Sequence, residues 1–166
     1  GDLQPVPLRM EHGFVLQPED LAAAITPQSR VLLLNTPHNP TGAGMDRTTL
    51  EQIGELCRQH DLWIVCDEVY EALIFTGEFA SPLEIEALRE RTVVVSSISK
   101  SHAATGFRSG WAIGSAEFCR RLLPVSETML FGNQPFIADM TEAALRGDFD
   151  TTERLRESLG RRACLV

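Results

Sequence analysis

The chain has 166 residues, of which 43% are hydrophobic and 23% charged, a balance typical of one ordinary globular domain. Its formal charge of −8 argues against a nucleic-acid partner, because phosphate backbones attract basic surfaces. No apolar run approaches the roughly 20 residues that span a bilayer, so we expect no membrane partner. The four cysteines are scattered without a CxxC pair, which favours a cytoplasmic location over a disulfide framework.

The first part of the chain predicts one strand, one loop and one helix. The opening segment, 3–9, has a strand-like composition. Arg30–Asn35 (RVLLLN) is a short apolar run typical of a buried strand. The prolines and glycines of TPHNPTGAG, 36–44, predict a loop. Asp46 can cap the helix that the apolar spacing predicts over 47–60.

Three more predicted strands follow, interleaved with helical segments. They are Leu62–Cys66, Thr92–Ser96 and Gly110–Gly114, and a turn with a short helical patch, 76–88, separates the first two. Further helices are predicted over 116–123, 134–146 and 152–165. Because strands alternate with helices, the sequence predicts an α/β fold with a mostly parallel sheet flanked by helices.

Three polar clusters each come directly after a predicted strand. They are HNPTG at 38–42, DEVY at 67–70 and SISK at 97–100. In open α/β sheets, ligands bind in the crevice beyond the carboxyl ends of the strands. We therefore expect the three clusters to converge on one rim.

Lys100 follows the third strand, among small hydroxyl residues. A lysine near the floor of a cleft is partly desolvated, which favours its neutral, nucleophilic amine. Such an amine condenses with an aldehyde to form a Schiff base. The alternative is a solvated surface lysine, which is what most lysines are.

Arg108 lies eight residues beyond Lys100, between glycine-containing segments that allow a tight turn. Its guanidinium fork matches a phosphate bidentately. Ser97 and Ser99 offer neutral hydroxyl donors to the same group. A plain surface cation after an ordinary serine-rich loop is the alternative.

Asp67 ends a buried strand, where a carboxylate must be paired or hydrogen-bonded. For the next residue, Glu68, a helix cap or salt bridge is the expectation. LWIVCDE, 62–68, also resembles the strand of a magnesium-dependent nucleotide hydrolase. Such an enzyme needs a GxxxxGK[ST] loop, and none occurs in this sequence.

Asn39 and Tyr70 are the remaining polar candidates on the predicted rim. The asparagine precedes a proline, so a turn-stabilising role is the alternative reading. The phenol, three residues after Asp67, either faces the same cleft or belongs to a half-buried packing tyrosine. His102 offers a proton shuttle near Lys100, although a role in loop structure is favoured.

A metal site is not expected. Cys57 and His60 share the spacing of a ligand pair on a helix, but no second pair accompanies them. Cys66 is expected to be inert core.

Taken together, NPTG, DEVY and SISKSHAATGFRSGW resemble the class I aminotransferases, which are fold type I pyridoxal-phosphate enzymes. The order and separations match that family, with 28 residues from Asn39 to Asp67 and 8 from Lys100 to Arg108. Within the family, the sequence looks most similar to bacterial arginine–pyruvate transaminases and aspartate-aminotransferase-like enzymes. The resemblance implies that 1–150 are the central part of the cofactor-binding large domain, with 151–166 starting a helix toward a small carboxyl-terminal domain.

The resemblance also implies a role for each rim residue. Lys100 forms the Schiff base with pyridoxal 5′-phosphate and then serves as general base. Asp67 pairs with the pyridine nitrogen of the cofactor, and Tyr70 contacts its phenolic oxygen. The other expected cofactor-binding residues are Asn39 at the phenolic oxygen, and Ser97, Ser99 and Arg108 at the phosphate.

The family likeness further implies amino acid and 2-oxo acid substrates, and a homodimer in which 129–136 faces the partner chain. Both ends look cut from something longer, so we expect this chain to be a fragment that is incomplete on its own. Three other readings stay open at this point: a carbon–sulfur lyase or a decarboxylase of the same fold type, or a remnant that binds the cofactor without catalysis.

Overall fold

A computed structural model of the chain describes residues 1–130, 132, 134–147 and 150–165. Within these residues four strands form one sheet in the order β1 (Val31–Asn35), β2 (Trp63–Asp67), β3 (Thr92–Ser97) and β4 (Gly110–Ile113). The first three strands are parallel, and β4 pairs antiparallel with β3. The predicted α/β class and mostly parallel sheet are therefore confirmed.

Six α-helices accompany the sheet in the part of the chain that the structure describes. They are α1 (Pro18–Ala24), α2 (Arg47–Gln59), α3 (Ile98–Ser101), α4 (Ala116–Met129), α5 (Pro135–Leu145) and α6 (Thr151–Ala163). Short 3-10 segments at Pro82–Glu84 and Glu86–Arg91 match the helical patch expected before β3.

Helix α2 shows why the pattern predicted its bounds to within one residue. The Asp46 carboxylate accepts a hydrogen bond from the Thr49 amide at 2.7 Å, which caps the first turn and lowers the pKa of Asp46. Leu50, Ile53 and Cys57 lie on one face and are fully buried against the sheet. The helix therefore covers the sheet through a single apolar stripe.

Side chains alternate across the sheet, as strand geometry requires. Leu32, Leu34, Ile64 and Cys66 point into the core that α2 covers, and each is less than one-tenth exposed. The alternate residues face the other side, where Leu33 is 69% exposed. The core thus lies on one face of the sheet.

Three local predictions are corrected. The opening segment, 3–9, is irregular, because no strand formed by the described residues pairs with it. Helix α4 does not stop at 123 but runs through Pro124 to Met129, since a proline removes only one amide donor. The Thr128 hydroxyl donates to the Pro124 carbonyl at 2.8 Å and satisfies that acceptor.

The segment that contains Lys100 is likewise more ordered than a loop. Its first four residues form α3, and the Ser97 hydroxyl caps that helix by accepting from the Ser99 amide at 3.2 Å. None of the helices formed by the described residues has the length and apolar character that crossing a bilayer requires.

Candidate active site at the carboxyl edge of the sheet

The carboxyl ends of β1, β2 and β3 lie level with one another. Asn35 pairs with Asp67, and Asp67 pairs with Val95, so DEVY begins level with the last residue of β1, and SISK begins two residues further along β3. The ladder continues for one step beyond the strands, where the Thr36 amide donates to the Asp67 carbonyl at 3.0 Å and the Glu68 amide to the Val95 carbonyl at 2.9 Å. The strands therefore deliver their polar side chains to one rim, as expected.

Asp67 is fixed at the centre of this rim. Its side chain is half-buried, and its Oδ1 accepts a hydrogen bond from the Val69 amide at 3.1 Å. This local turn orients the carboxylate, and its remaining oxygen capacity is available to a cationic group. No helix cap or salt bridge is needed to hold it.

Asn39 and Tyr70 meet across the rim. The Asn39 side-chain amide donates to the Tyr70 hydroxyl at 3.4 Å, a long and weak hydrogen bond. The Asn39 backbone amide donates to Asn35 Oδ1 at 2.8 Å, so the end of β1 anchors this loop. Asn35 was not identified from sequence, although it is the polar residue that ends the apolar run of β1.

Lys100 is the only lysine in the chain, which otherwise uses arginine for its basic residues. Its Nζ lies 6.0 Å from the centre of the Tyr70 ring, within cation–π range. The side chain is exposed, which corrects the expectation of partial desolvation. The reason is that α3 is a single turn whose buried positions are taken by Ile98 and Ser101, which leaves Lys100 on the exposed face.

Ser97, Ser99 and Arg108 lie around the end of β3 and the start of β4. The Ser97 oxygen accepts from the Ser99 amide, so the Ser97 hydroxyl hydrogen stays available to an anion. Arg108 is exposed, has a left-handed backbone with a φ of 52°, and donates to the Thr105 carbonyl at 3.1 Å. Ser97 pairs with Gly110, which brings this arginine turn beside the serines.

Gly110 explains how β4 approaches so closely. A Cβ at this position would lie 2.7 Å from the Ser96 carbonyl oxygen, which is shorter than any normal contact. Only glycine fits here.

Two acids, Glu68 and Glu71, support the turn of Asp67 and Tyr70, a role that the sequence motifs did not assign to either. Glu68 is 2% exposed and accepts from the Ser81 hydroxyl at 2.8 Å; among the described residues it forms neither the cap nor the salt bridge that was expected. Burial raises its pKa to about 7. Glu71 accepts from the Ser96 hydroxyl at 3.3 Å, and burial raises its pKa too. An acid next to a strand-terminal Asp was the available signal.

His102 serves loop structure. Its Nε2 donates to the Ala144 carbonyl at 3.1 Å, and its Nδ1 lies 2.8 Å from the Ser101 hydroxyl. The Nε2 bond thus ties the end of α3 to α5, while the Nδ1 contact stays within the end of α3. Cys57 is buried, which raises its pKa to about 11, and the described residues hold no cluster of three His, Cys, Asp or Glu side chains suited to a metal ion.

The fold is an α/β sheet with polar side chains at the carboxyl ends of its parallel strands. Residues 1–165 match the family of aminotransferase class I and II, and the chain belongs to that family. It is 46% identical over 162 residues to the arginine–pyruvate transaminase of Pseudomonas aeruginosa, which covers 98% of this chain and 41% of that relative. It is also 33% identical to the aspartate aminotransferase of Bacillus subtilis, over 92% of this chain and 39% of that enzyme.

Solved structures give the same family. The chain superposes on the aromatic aminotransferase of Pyrococcus horikoshii with a TM-score of 0.92 and 31% identity, covering 96% of this chain and 44% of that one. A double mutant of the aspartate aminotransferase of Thermus thermophilus gives a TM-score of 0.86 and 35% identity, over 95% of this chain and 41% of that one. The chain therefore spans about two fifths of the length of these relatives, which agrees with the expected fragment.

Proposed function

We propose that this chain is the central part of an aminotransferase that moves an amino group from an amino acid to a 2-oxo acid with pyridoxal 5′-phosphate. The observation that carries the proposal is the 6.0 Å distance between the Lys100 amine and the centre of the Tyr70 ring. Lys100 is the only lysine of this sequence, and Tyr70 follows the strand-terminal Asp67 by three residues. Membership of the aminotransferase family supports the same reaction.

The donor set on the rim fits this cofactor. A phosphorylated pyridine aldehyde needs an amine for its aldehyde, an acid for its ring nitrogen, hydrogen-bonding partners for its phenolic oxygen and donors for its phosphate. Lys100 and Asp67 would meet the first two needs. Asn39 with Tyr70 and, for the phosphate, Ser97, Ser99 and Arg108 would meet the others. When bound, the cofactor supplies an electrophilic carbon and an electron-withdrawing ring.

The residues of this chain would then divide the work. The Lys100 amine would hold the aldehyde of the cofactor and, as general base, would take a proton from the α-carbon of the amino acid. Positioning this amine would be the main contribution of α3. The Asp67 carboxylate would keep the ring nitrogen protonated through charge pairing.

Arg108 and the serines would anchor the phosphate of the cofactor. The guanidinium can offer a two-pronged hydrogen bond to phosphate oxygens, and the Ser97 hydroxyl can add a neutral donor. An anchored phosphate would limit the movement of the cofactor relative to Lys100.

Domain organisation, assembly and location belong to the same proposal. Residues 1–150 would be part of the cofactor-binding large domain, and the helix that starts at Thr151 would lead to a small domain.

We propose that the segment 129–136 contacts a partner subunit. Met129, Leu130 and Phe136 are each more than 60% exposed, whereas Phe131 and Asn133 lie outside the described residues. Co-purification of differently tagged full-length chains checks this. A cytoplasmic location is supported by four free cysteines.

The experiment that tests the function uses the protein expressed from its full open reading frame. It is incubated with pyridoxal 5′-phosphate, reduced with borohydride and mapped by peptide mass spectrometry. We expect the pyridoxyl group on Lys100, and amino transfer with arginine and pyruvate as the first pair to assay, following the name of the 46% identical relative. A label on another lysine, or none, contradicts the proposal.

A further inference from the structure

A buried carboxyl group, that of Glu68, supports the turn that carries Asp67 and Tyr70 from the core side of the sheet. Side chains alternate along β2, so Asp67 faces the rim while Glu68, like Ile64 and Cys66, lies on the core side. A carboxyl group there is unusual, because acids are seldom fully buried without a partner. Its partner is the Ser81 hydroxyl, at 2.8 Å.

Glu68 is joined to the rest of the turn by its backbone as well. Its amide donates to Val95 on β3 at 2.9 Å, and its carbonyl accepts from the Glu71 amide at 2.8 Å. Tyr70 lies within the turn that the second of these hydrogen bonds closes. A shift of the Glu68 side chain would therefore move the peptide groups on both sides, toward Asp67 and toward Tyr70.

We propose that Glu68, anchored by Ser81, is a positioning residue that sets the Asp67 carboxylate and the Tyr70 phenol against the cofactor. This inference rests on the function proposed above. Glu68 does not touch the reacting atoms, so its effect passes through the two rim residues. Nothing in the family likeness drawn from the sequence motifs assigned it a role.

The charge environment makes the device sensitive to pH. Burial raises the pKa of Glu68 to about 7, the neighbouring Glu71 and Glu84 raise it further, and hydrogen bonds from Ser81 and Cys66 oppose the rise. In the folded protein the acid therefore keeps its proton to higher pH than in the unfolded chain. Stability contributed by the protonated acid is present at low pH and lost as pH rises toward 7.

The test compares variants of the full-length protein. Glu68→Gln keeps the shape and an acceptor for Ser81 but never ionises, whereas Glu68→Leu and Ser81→Ala break the hydrogen bond. Glu86→Gln is the matched control, since Glu86 is exposed on the segment next to Ser81 and loses the same charge. The measurements are kcat, KM, the pH profile of cofactor absorbance, and the Tm of the cofactor-free protein against pH.

The positioning role predicts a kcat-specific effect. We expect Glu68→Leu and Ser81→Ala to lower kcat by about 10-fold or more with a KM change of less than about 3-fold, because the transition state depends on the aligned rim. Glu68→Gln is expected to keep most of the activity near pH 6 and to shift the midpoint of the absorbance profile. The Tm of Glu68→Gln should rise relative to wild type between about pH 5 and pH 8.

Each opposite outcome overturns the inference. If the folded Leu and Ala variants keep wild-type kcat and absorbance profile while wild type carries its label on Lys100, Glu68 is core packing and the proposed function stands. A Tm difference between Glu68→Gln and wild type that does not change with pH excludes the titrating device, even for a variant that binds no cofactor. If wild type takes no label on Lys100, the proposed function fails and the positioning role with it.

Discussion

The two sides of the rim are built differently. Asp67, Asn39 and Tyr70 stand on parallel strand ends that backbone and side-chain hydrogen bonds tie together. Lys100 and Arg108 are exposed cations on a one-turn helix and a left-handed turn. The hydrogen bonds of the described residues thus fix the positions of the acid and the phenol. The two exposed cations are free to take their final positions on a bound ligand.

Replacing Lys100 gives the largest expected effect. Lys100→Ala in the full-length protein removes both the attachment point and the general base, so we expect kcat to fall by about 10³-fold or more. Steady-state kinetics with an amino acid and a 2-oxo acid measures it. Lys100→Arg is the control that keeps the charge near Tyr70 but not the nucleophile; recovery of activity by arginine would contradict the proposed role.

The acid on the fixed side comes next. Asp67→Asn keeps an oxygen to accept from the Val69 amide, so the turn should survive while the negative charge disappears. We expect kcat to fall by about 10²-fold, because the ring nitrogen loses its charge partner. Circular dichroism checks the fold and kinetics the rate. Activity within a few-fold of wild type would mean that Asp67 does not pair with the cofactor.

Replacing Arg108 should change protein stability and cofactor affinity in opposite directions. Arg108→Gly relieves a left-handed backbone and should stabilise the protein by about 1 kcal/mol. The same change removes charge-assisted hydrogen bonds, so cofactor affinity should fall by about 10- to 100-fold. Arg108→Lys is the control that keeps charge and strain. Equal affinity in all three proteins would remove Arg108 from the phosphate site.

The smallest effect is expected at Tyr70. Tyr70→Phe deletes the hydroxyl that accepts from Asn39, a weak hydrogen bond at 3.4 Å, so kcat should fall by about 5-fold. Asn39→Ala and the double variant complete a mutant cycle measured by kinetics. Purely additive effects would show that the two side chains do not act together.

Much of the fold could be predicted because its signals are local. The apolar runs marked all four strands, and Asp46 marked the start of α2. The path of the chain at 3–9 could not be predicted, since strand-like residues form a strand only with a pairing partner. The continuation of α4 through Pro124 depends on a side-chain hydrogen bond from Thr128, which spacing does not reveal.

The candidate residues of the rim could be proposed from the sequence, and their roles toward a cofactor stay predictions, whereas the contacts that support them could not be predicted. The side chains of Asp67, Tyr70 and Lys100 are a carboxylate, a phenol and an amine, so their chemistry follows from the residue type alone. Asn35, Glu68 and Ser81 act through contacts between residues far apart in sequence, such as the 2.8 Å bond across 13 positions from Ser81 to Glu68. The exposure of Lys100 likewise depends on what surrounds α3 in three dimensions.

Asn35 joins two segments through one amide group. Its nitrogen donates to the Asp67 carbonyl at 3.3 Å, and its oxygen accepts from the Asn39 amide at 2.8 Å. The Asn35 side chain therefore couples the loop after β1 to the end of β2. We expect a ligand that shifts Asn39 to shift the backbone of Asp67 as well, through the two hydrogen bonds of this one amide.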